Sequence, residues 1–206
     1  MQTNPSSLAL NGQTLTLRYE VVASDIRTVR AIVESTGFFH PPEIDVAVEL
    51  VEERLQRGVA SGYFLVFAER DGQPIGYSCY GPIACTTNSF DVYWIAVHRD
   101  AQQFGLGRRL MSVTEDLIRD QGGRRIYVET SGQDKYLPTR CFYDRCGYTH
   151  AAELPEFYGE GDSKVIYLKV LANGAQSDAV PGPASTSRGH QSDGATLARA
   201  WDHPHS

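Results

Sequence analysis

The chain has 206 residues, of which 41% are hydrophobic, and its formal net charge at pH 7 is −6. This length suits one domain with short extensions, and this apolar content is enough for a sizeable core. The acidic balance argues against a nucleic-acid partner, because phosphate backbones attract basic surfaces. It is compatible with a cationic or amine ligand, although most acidic surfaces are simply solvated.

The cysteines and the hydropathy pattern favour a cytoplasmic protein with reduced thiols. The four cysteines form no CxxC pair and have no histidine pair at zinc-ligand spacing. We therefore expect no metal site. The first residues lack the basic and apolar segments of a secretion signal, and no stretch approaches the ~18 apolar residues of a membrane span. We expect no association with a membrane.

Hydrophobic periodicity and turn residues divide the first half of the chain into a strand, two helices and three more strands. Residues 1–12 show no such pattern, so we expect a flexible lead there. Gly37 ends the first helix, Pro41 opens the second, and Asp71-Gly72 is typical of a hairpin turn. The predicted elements are a strand at 14–20, helices at 25–36 and 41–57, and strands at 63–69, 74–80 and 90–97.

The second half alternates helices and strands. The predicted elements are a helix at 105–121, a strand at 125–130, a helix at 139–146, and strands at 148–152 and 164–170. Hairpins followed by βαβ units predict an α/β (α+β) domain at 13–171, with a mixed, mostly antiparallel sheet and helices on both faces. Residues 172–206 are rich in Gly, Pro, Ser and Ala, which predicts a disordered tail.

A glycine-punctuated segment, 102–107, joins the apolar strand at 90–97 to the third helix. Glycines allow a ligand to approach the backbone closely. The first turn of a helix offers unpaired N–H groups and the positive end of the helix dipole. Together they predict an anion site suited to a pyrophosphate. Arg108 and Arg109 could add charge for a further phosphate.

Two common phosphate-binding patterns do not fit this segment. The Rossmann pattern needs a third glycine where this chain has Leu110, and the P-loop sequence Gly-Lys-Ser/Thr is absent. What remains is Gln-x-x-Gly-x-Gly, formed by Gln102, Gly105 and Gly107. Taken alone, these glycines could simply shape a turn in a purely structural protein.

A second segment, 139–148, has a short helix that ends at Gly147 and leads into a strand. With both motifs in this order and spacing, the sequence resembles the GNAT superfamily of acetyl-CoA-dependent N-acetyltransferases. The resemblance covers about residues 14–171 and is sharpest over 91–148. It implies a GNAT-like sheet in which the two central strands splay apart.

The resemblance also implies how acetyl-CoA is bound. The glycine loop and the following helix turn would hold the pyrophosphate, and the strand before the loop would pair with the pantetheine arm. The residues that match the loop are Gln102, Gln103, Phe104, Gly105, Leu106, Gly107, Arg108 and Arg109. Those that match the strand are Ile95, Ala96 and Val97. Residues 129–131, including Thr130 and Ser131, would lie across the splay.

Two residues match catalytic positions of the family. Tyr143 matches a tyrosine that protonates the leaving thiolate, a role compatible with its ordinary pKa near 10. The alternative is a tyrosine that only packs in the core. Asp91 matches a carboxylate that accepts the proton of the amine, and its apolar strand would raise its pKa. The alternative is a solvated carboxylate at the strand edge.

The acceptor site is less defined. The resemblance places it near the first two helices and the last hairpin. The candidate residues are Phe39, Tyr93, Tyr136, Arg140 and Tyr158. Tyr136 and Arg140 could hold an acceptor carboxylate, and Tyr93 would share a face with Asp91.

The resulting hypothesis is transfer of an acetyl group from acetyl-CoA to a primary amine, either a small molecule or an amino-acid-like compound. The acetyl group would move by direct attack in a ternary complex, without a metal. The protein would be a monomer or a homodimer. The alternative function is a non-catalytic acyl-CoA-binding regulatory module.

Overall fold

The computed structural model describes residues 7–10, 13–102 and 105–172. Residues 173–206 of the expected tail lie outside this part. The described residues form eight strands and four helices. The strands are β1 (Ser7–Leu10), β2 (Gln13–Arg18), β3 (Phe64–Arg70), β4 (Gln73–Pro82), β5 (Ser89–Val97), β6 (Arg125–Ser131), β7 (Thr149–Gly159) and β8 (Asp162–Val170). The helices are α1 (Asp25–Thr36), α2 (Pro41–Arg57), α3 (Leu106–Asp120) and α4 (Leu137–Arg145).

The strands form one sheet in the order β1-β2-β3-β4-β5-β6-β8-β7. Among the described strands, β5 and β6 form the one parallel pair, and every other neighbouring pair is antiparallel. The α3 crossover between β5 and β6 makes this parallel pairing possible. The mixed, mostly antiparallel sheet predicted from the sequence is confirmed.

Each face of the sheet packs against its own helices. Val66 and Ala68 of β3 belong to the core that contains Leu110 of α3. The alternate residues Leu65 and Phe67 belong to a second core, with residues of α1 and α2 such as Val29 and Val48. This alternation follows from the two-residue period of a strand. Helices therefore cover both faces, as predicted.

Local signals set the helix ends near the second core. Gly37 follows α1 with φ of 71°, a left-handed conformation that suits glycine. Pro41 opens α2, where the N–H that proline lacks would have no partner within the helix. The Glu43 carboxylate accepts a hydrogen bond of 2.8 Å from the backbone N–H of His40, which satisfies one donor at this helix start.

The element bounds differ most from the prediction at two places. Ser7–Leu10 is a strand paired with β2, although residues 1–12 were expected to be a flexible lead. β7 continues to Gly159, well beyond the predicted end at residue 152. The pairing of β7 with β8 becomes irregular between Leu154 and Gly159. No helix in the described ranges is both long and apolar enough to cross a membrane.

Candidate active site

β5 and β6 run side by side only where they begin. Three residue pairs join them, the last being Asp91 opposite Tyr127. Beyond this pair the described residues of both strands continue, to Val97 and to Ser131, without pairing with each other. Each strand therefore turns a row of backbone N–H and C=O groups toward the gap. This gap is the predicted splay, and it fits an extended ligand that completes the missing hydrogen bonds.

The residues expected to contact the pantetheine arm stand on the two sides of the gap. Ile95, Ala96 and Val97 lie on β5, and Thr130 and Ser131 lie on β6. The structure brings these groups together, as the resemblance implies. Ala96, Val97, Thr130 and Ser131 are each at most 8% exposed. Their contact with the ligand itself stays a prediction.

Helix α3 begins at the end of β5, with Gly105 directly before it. Gly105 has φ of 78°, which is strained for other residues, but a side chain there would meet no atom of the described residues within 4 Å. Gly107 is constrained differently, since a Cβ there would lie 3.3 Å from the ring of Phe142. Gly105 therefore serves the backbone turn, and Gly107 serves the packing of α3 against α4.

The loop before α3 is closed by Gln102, whose side-chain amide donates a hydrogen bond of 3.2 Å to the carbonyl of Val97. Leu106 is 1% exposed and anchors the first turn of α3. Arg108 and Arg109 are exposed there and can reach an anion at the helix start. Gln103 and Phe104, also predicted to bind the pyrophosphate, lie outside the described residues. The contact of the described residues with the diphosphate of acetyl-CoA stays a prediction.

Tyr143 of α4 is 6% exposed and belongs to the same core as Val97. Its ring packs against Phe142, Tyr148 and Tyr167, with centroids 5.5 to 6.0 Å apart. Burial raises its pKa well above the ordinary value for tyrosine. Tyr143 therefore keeps its proton at neutral pH, as an acid must before it donates.

Asp91 and Tyr93 lie on the face of β5 that points away from Tyr143 and α3. Phe90 and Val92 pack in the core beneath α3, so Asp91 between them projects toward the α1 and α2 side. A β-bulge follows, because Cys79 of β4 lies opposite Trp94 whereas the next residue lies opposite Val92. Tyr93 is the extra residue, and it packs with the α1 and α2 core. The predicted shared face of Asp91 and Tyr93 agrees with this packing.

The surroundings of Asp91 disfavour its ionised form. Burial, with repulsion from Glu129 as the next cause, raises its pKa from 3.8 to about 6, against an opposing attraction from Lys164. At pH 7 the carboxylate is still mostly ionised and able to accept a proton. This combination suits a general base better than a solvated strand-edge carboxylate.

Three aromatic candidates surround this face. Phe39 packs on the ring of Trp94, with 4.9 Å between centroids. Tyr136 is 8% exposed and donates a hydrogen bond of 3.4 Å to Glu43. Tyr158 is 50% exposed at the far end of β7. Burial, followed by nearby carboxylates that include Glu43 and Asp162, raises the pKa of Tyr158 to about 12. Tyr136 and Tyr158 therefore flank the same group of carboxylates.

Arg140 is held by backbone carbonyls, and its contact with an acceptor carboxylate stays a prediction. Its Nη1 donates hydrogen bonds of 2.8 Å to the carbonyl of Ser131 and 2.9 Å to that of Gln133. Its charge also acts on Tyr167, which lies in the core under α4. Arg140 thus ties α4 to the end of β6.

The acceptor side also holds a charged pair that no sequence motif indicates. The Nζ of Lys164 lies 2.7 Å from a carboxylate oxygen of Glu129, and the Lys164 side chain is only 14% exposed. The same Nζ lies 3.8 Å from the ring centroid of Phe157. The residues come from β6, β7 and β8, so only the strand register reveals that they meet.

A family model described as the acetyltransferase (GNAT) family matches residues 29–148 of the chain. This range includes α3, α4 and both strands of the gap. No curated protein matches the chain at a significant level.

Solved structures of this family share the fold. One is assigned as a GNAT-family acetyltransferase from Desulfovibrio desulfuricans; it is 48% identical, with a TM-score of 0.75, over 77% of this chain and 99% of its own. An aminoglycoside 6'-N-acetyltransferase complexed with coenzyme A has a TM-score of 0.60 at 18% identity, over 77% and 99% of the two chains. The acetyltransferase yncA from Salmonella typhimurium, solved with acetyl-CoA, has a TM-score of 0.59 at 20% identity, over 81% and 99%.

Proposed function

Because this chain belongs to the GNAT family and is an acetyl-CoA-dependent acetyltransferase, we propose that it acetylates a primary amine by direct attack within a ternary complex. The observation that carries the proposal is Asp91. Its carboxyl, with a pKa raised to about 6, stands where β5 and β6 separate. It faces away from α3 and toward the aromatic and acidic acceptor side.

On the donor side, acetyl-CoA supplies an acyl group already activated as a thioester. We assign its pyrophosphate to the N–H groups at the start of α3 and its pantetheine arm to the open edge of β5. Gly105 allows the turn that aims these N–H groups, and Leu106 fixes the helix start in the core. Most of the rate enhancement would then come from holding the two substrates in line.

On the acceptor side, the amine must lose a proton before it attacks, because an ammonium has no lone pair. Asp91 is the proposed base. With a pKa of about 6, roughly 90% of it is ionised at pH 7. The proton moves to Asp91 directly or through a water molecule. Tyr93, on the same face, would line the path of the amine.

Attack of the neutral amine on the thioester carbon gives a tetrahedral oxyanion. Backbone N–H groups on the open edge of β5 are the proposed donors to this oxyanion. Collapse breaks the carbon–sulfur bond, and the thiolate takes a proton from Tyr143. The second proton that the nitrogen loses as the amide forms returns to Tyr143, directly or through water. Burial raises the pKa of Tyr143. It also disfavours a thiolate in the same surroundings, so the pKa values of the proton donor and the proton acceptor rise together.

The test is amine-dependent release of thiol from acetyl-CoA, with Asp91→Asn and Tyr143→Phe as variants. Each should lose turnover far more than affinity for acetyl-CoA. The matched controls are Asp120→Asn, at an exposed site on α3, and Tyr19→Phe, directly after β2 and three strands from β5. Wild-type rates from both Asp91→Asn and Tyr143→Phe would refute the proposed roles.

A further inference from the structure

The acceptor face is the α1 and α2 side of the sheet beside the gap, and four carboxylates border it. They are Glu43, Asp91, Glu129 and Asp162. Ile126 and Val128 pack in the core beneath α3, so Glu129 and Ser131 project to the acceptor face. The Asp162 carboxylate accepts a hydrogen bond from the Ser131 hydroxyl, which holds it on that side.

Aromatic rings lie among these carboxylates. The hydroxyl of Tyr136 donates to Glu43 at 3.4 Å. Phe157 and Tyr158 pack edge to face, with 5.0 Å between centroids, near the end of β7. Both are about half exposed, at 53% and 50%. Carboxylates combined with ring faces make a surface that attracts cations.

Lys164 shows how a primary ammonium sits on this surface. Its Nζ lies 2.7 Å from Glu129 and 3.8 Å from the ring centroid of Phe157. It also lies 5.8 Å from the ring centroid of Tyr158. The side chain is 14% exposed, so this ammonium has given up most of its contact with water. The compensation comes from one carboxylate and two rings.

Two other described cations near this face are Arg57 and Lys135. Arg57, which acts on Tyr63 at the edge of the face, pairs with Glu53 at 3.1 Å. Lys135 Nζ lies 3.2 Å from His40 Nε2 and 4.8 Å from the ring of Tyr136. A ligand carboxylate that approached Lys135 would also approach Glu43, which accepts the Tyr136 hydroxyl.

Arg140 of α4 is held at the end of β6. Its Nη1 donates to two backbone carbonyls at the end of β6, and its charge acts on Tyr167 on the opposite side of the sheet. The described part of the acceptor face thus carries four carboxylates beside two lysines, Lys135 and Lys164. An incoming carboxylate would find repulsion there.

We propose that the acceptor is a cationic amine with no carboxylate beside its reacting nitrogen. This inference rests on the proposed function and narrows its acceptor. An α-amino acid would bring its carboxylate within a few ångströms of Asp91 and Glu129. A decarboxylated amine brings only positive charge, which the carboxylates and ring faces of the acceptor face attract. The class of acceptor is therefore an alkyl or arylalkyl amine or diamine rather than an amino acid.

The experiment uses acceptor pairs that differ only by the α-carboxylate. Suitable pairs are 1,4-diaminobutane with ornithine, 1,5-diaminopentane with lysine, and tyramine with tyrosine. The measured quantity is kcat/KM for thiol release from acetyl-CoA at saturating acetyl-CoA. One unfavourable contact of about 1.4 kcal/mol gives a tenfold difference, so we expect the amine in each pair to be preferred by about tenfold or more.

Three variants test the cause of the preference. In Glu129→Gln, Lys164 loses its charged partner and one repulsive carboxylate disappears, so the amine-to-acid ratio should fall by about tenfold. Glu49→Gln makes the same change at an exposed position of α2 and should leave the ratio unchanged. Lys135→Met should also leave it unchanged, since Lys135 is not assigned to hold a carboxylate.

The outcomes separate the inference from the proposed function. Acetylation of the amino acid in each pair as fast as, or faster than, its amine would overturn the inference while leaving N-acetylation intact. Loss of amino-acid acetylation in Lys135→Met would likewise overturn it, because it would identify a carboxylate anchor. If no compound in any pair supports thiol release, the proposed function is refuted, and the inference falls with it.

Discussion

Replacing Asp91 by asparagine should stabilise the protein while it impairs the enzyme. The pKa of Asp91 is raised from 3.8 to about 6, chiefly by burial. The folded state therefore binds this proton more tightly than the unfolded state does, and the ionised carboxylate destabilises the fold. The cost grows as the pH rises from about 4 to about 6 and is complete above that range. Asparagine cannot ionise, so the substitution removes this destabilisation.

The pKa shift of Asp91 sets the size of the expected change in the free energy of unfolding. A difference of 2.2 units between those two pKa values corresponds to about 3 kcal/mol. Asp91 is only half-buried, and solvent screening should reduce this to about 1 to 2 kcal/mol. We expect Asp91→Asn to raise the free energy of unfolding by that amount at pH 8 and by almost nothing at pH 4.

Urea unfolding between pH 4 and pH 8 measures this difference. Asp120→Asn, at an exposed position, is the control and should show no such pH dependence. In Asp91→Asn, kcat/KM should lose its acid limb near pH 6 and fall about 10²-fold at neutral pH, as for removal of a general base. A variant that is less stable at pH 8, or equally altered at both pH values, would refute the assigned environment of Asp91.

Three other substitutions address the donor side. Tyr143→Phe should lower kcat about 10-fold to 100-fold with little change in KM for acetyl-CoA; an unchanged kcat would remove Tyr143 as the acid. Gly105→Val should weaken coenzyme A binding in a thermal-shift titration, because φ of 78° is strained for valine; wild-type affinity would show that the turn does not aim the helix start. Gly107→Ala should cost about 1 kcal/mol in urea unfolding, since its Cβ would lie 3.3 Å from Phe142. Phe142→Leu should relieve that cost, and additive effects of the two changes would contradict the packing argument.

The fold was largely predictable because its elements carry strong local signals. The apolar run before Val97 and the period of α3 define the parallel β5 and β6 pair and its crossover. Gly37 and Pro41 mark helix ends in the sequence and in the structure alike. Such signals act over a few residues, so a single sequence displays them.

The missed strand β1 also had a local signal. Ser7–Leu10 precedes Asn11-Gly12, a dipeptide typical of a two-residue hairpin, and β2 follows. The bulge at Tyr93 had no comparable signal. It depends on how β4 and β5 align across the sheet, and local propensity does not determine that register.

The residues of the candidate site likewise fall into those that a local sequence motif indicates and those that only the folded structure brings together. The donor-side residues Gly105 and Tyr143 could be named because they fall in sequence motifs. The pair of Glu129 with Lys164 could not, since 35 positions separate residues that meet only across β6 and β8. Arg140 looked free in sequence, but the end of β6 supplies carbonyls that engage it.

The most direct test of the account is mass-spectrometric detection of an acetylated amine formed together with free coenzyme A. Purified protein would be incubated with acetyl-CoA and 1,4-diaminobutane or tyramine, with Asp91→Asn run in parallel. We predict one N-acetyl product for each thiol released, with a rate that falls sharply in the variant below that of Asp120→Asn. Binding of acetyl-CoA without any N-acetylated product across these amines would contradict the account.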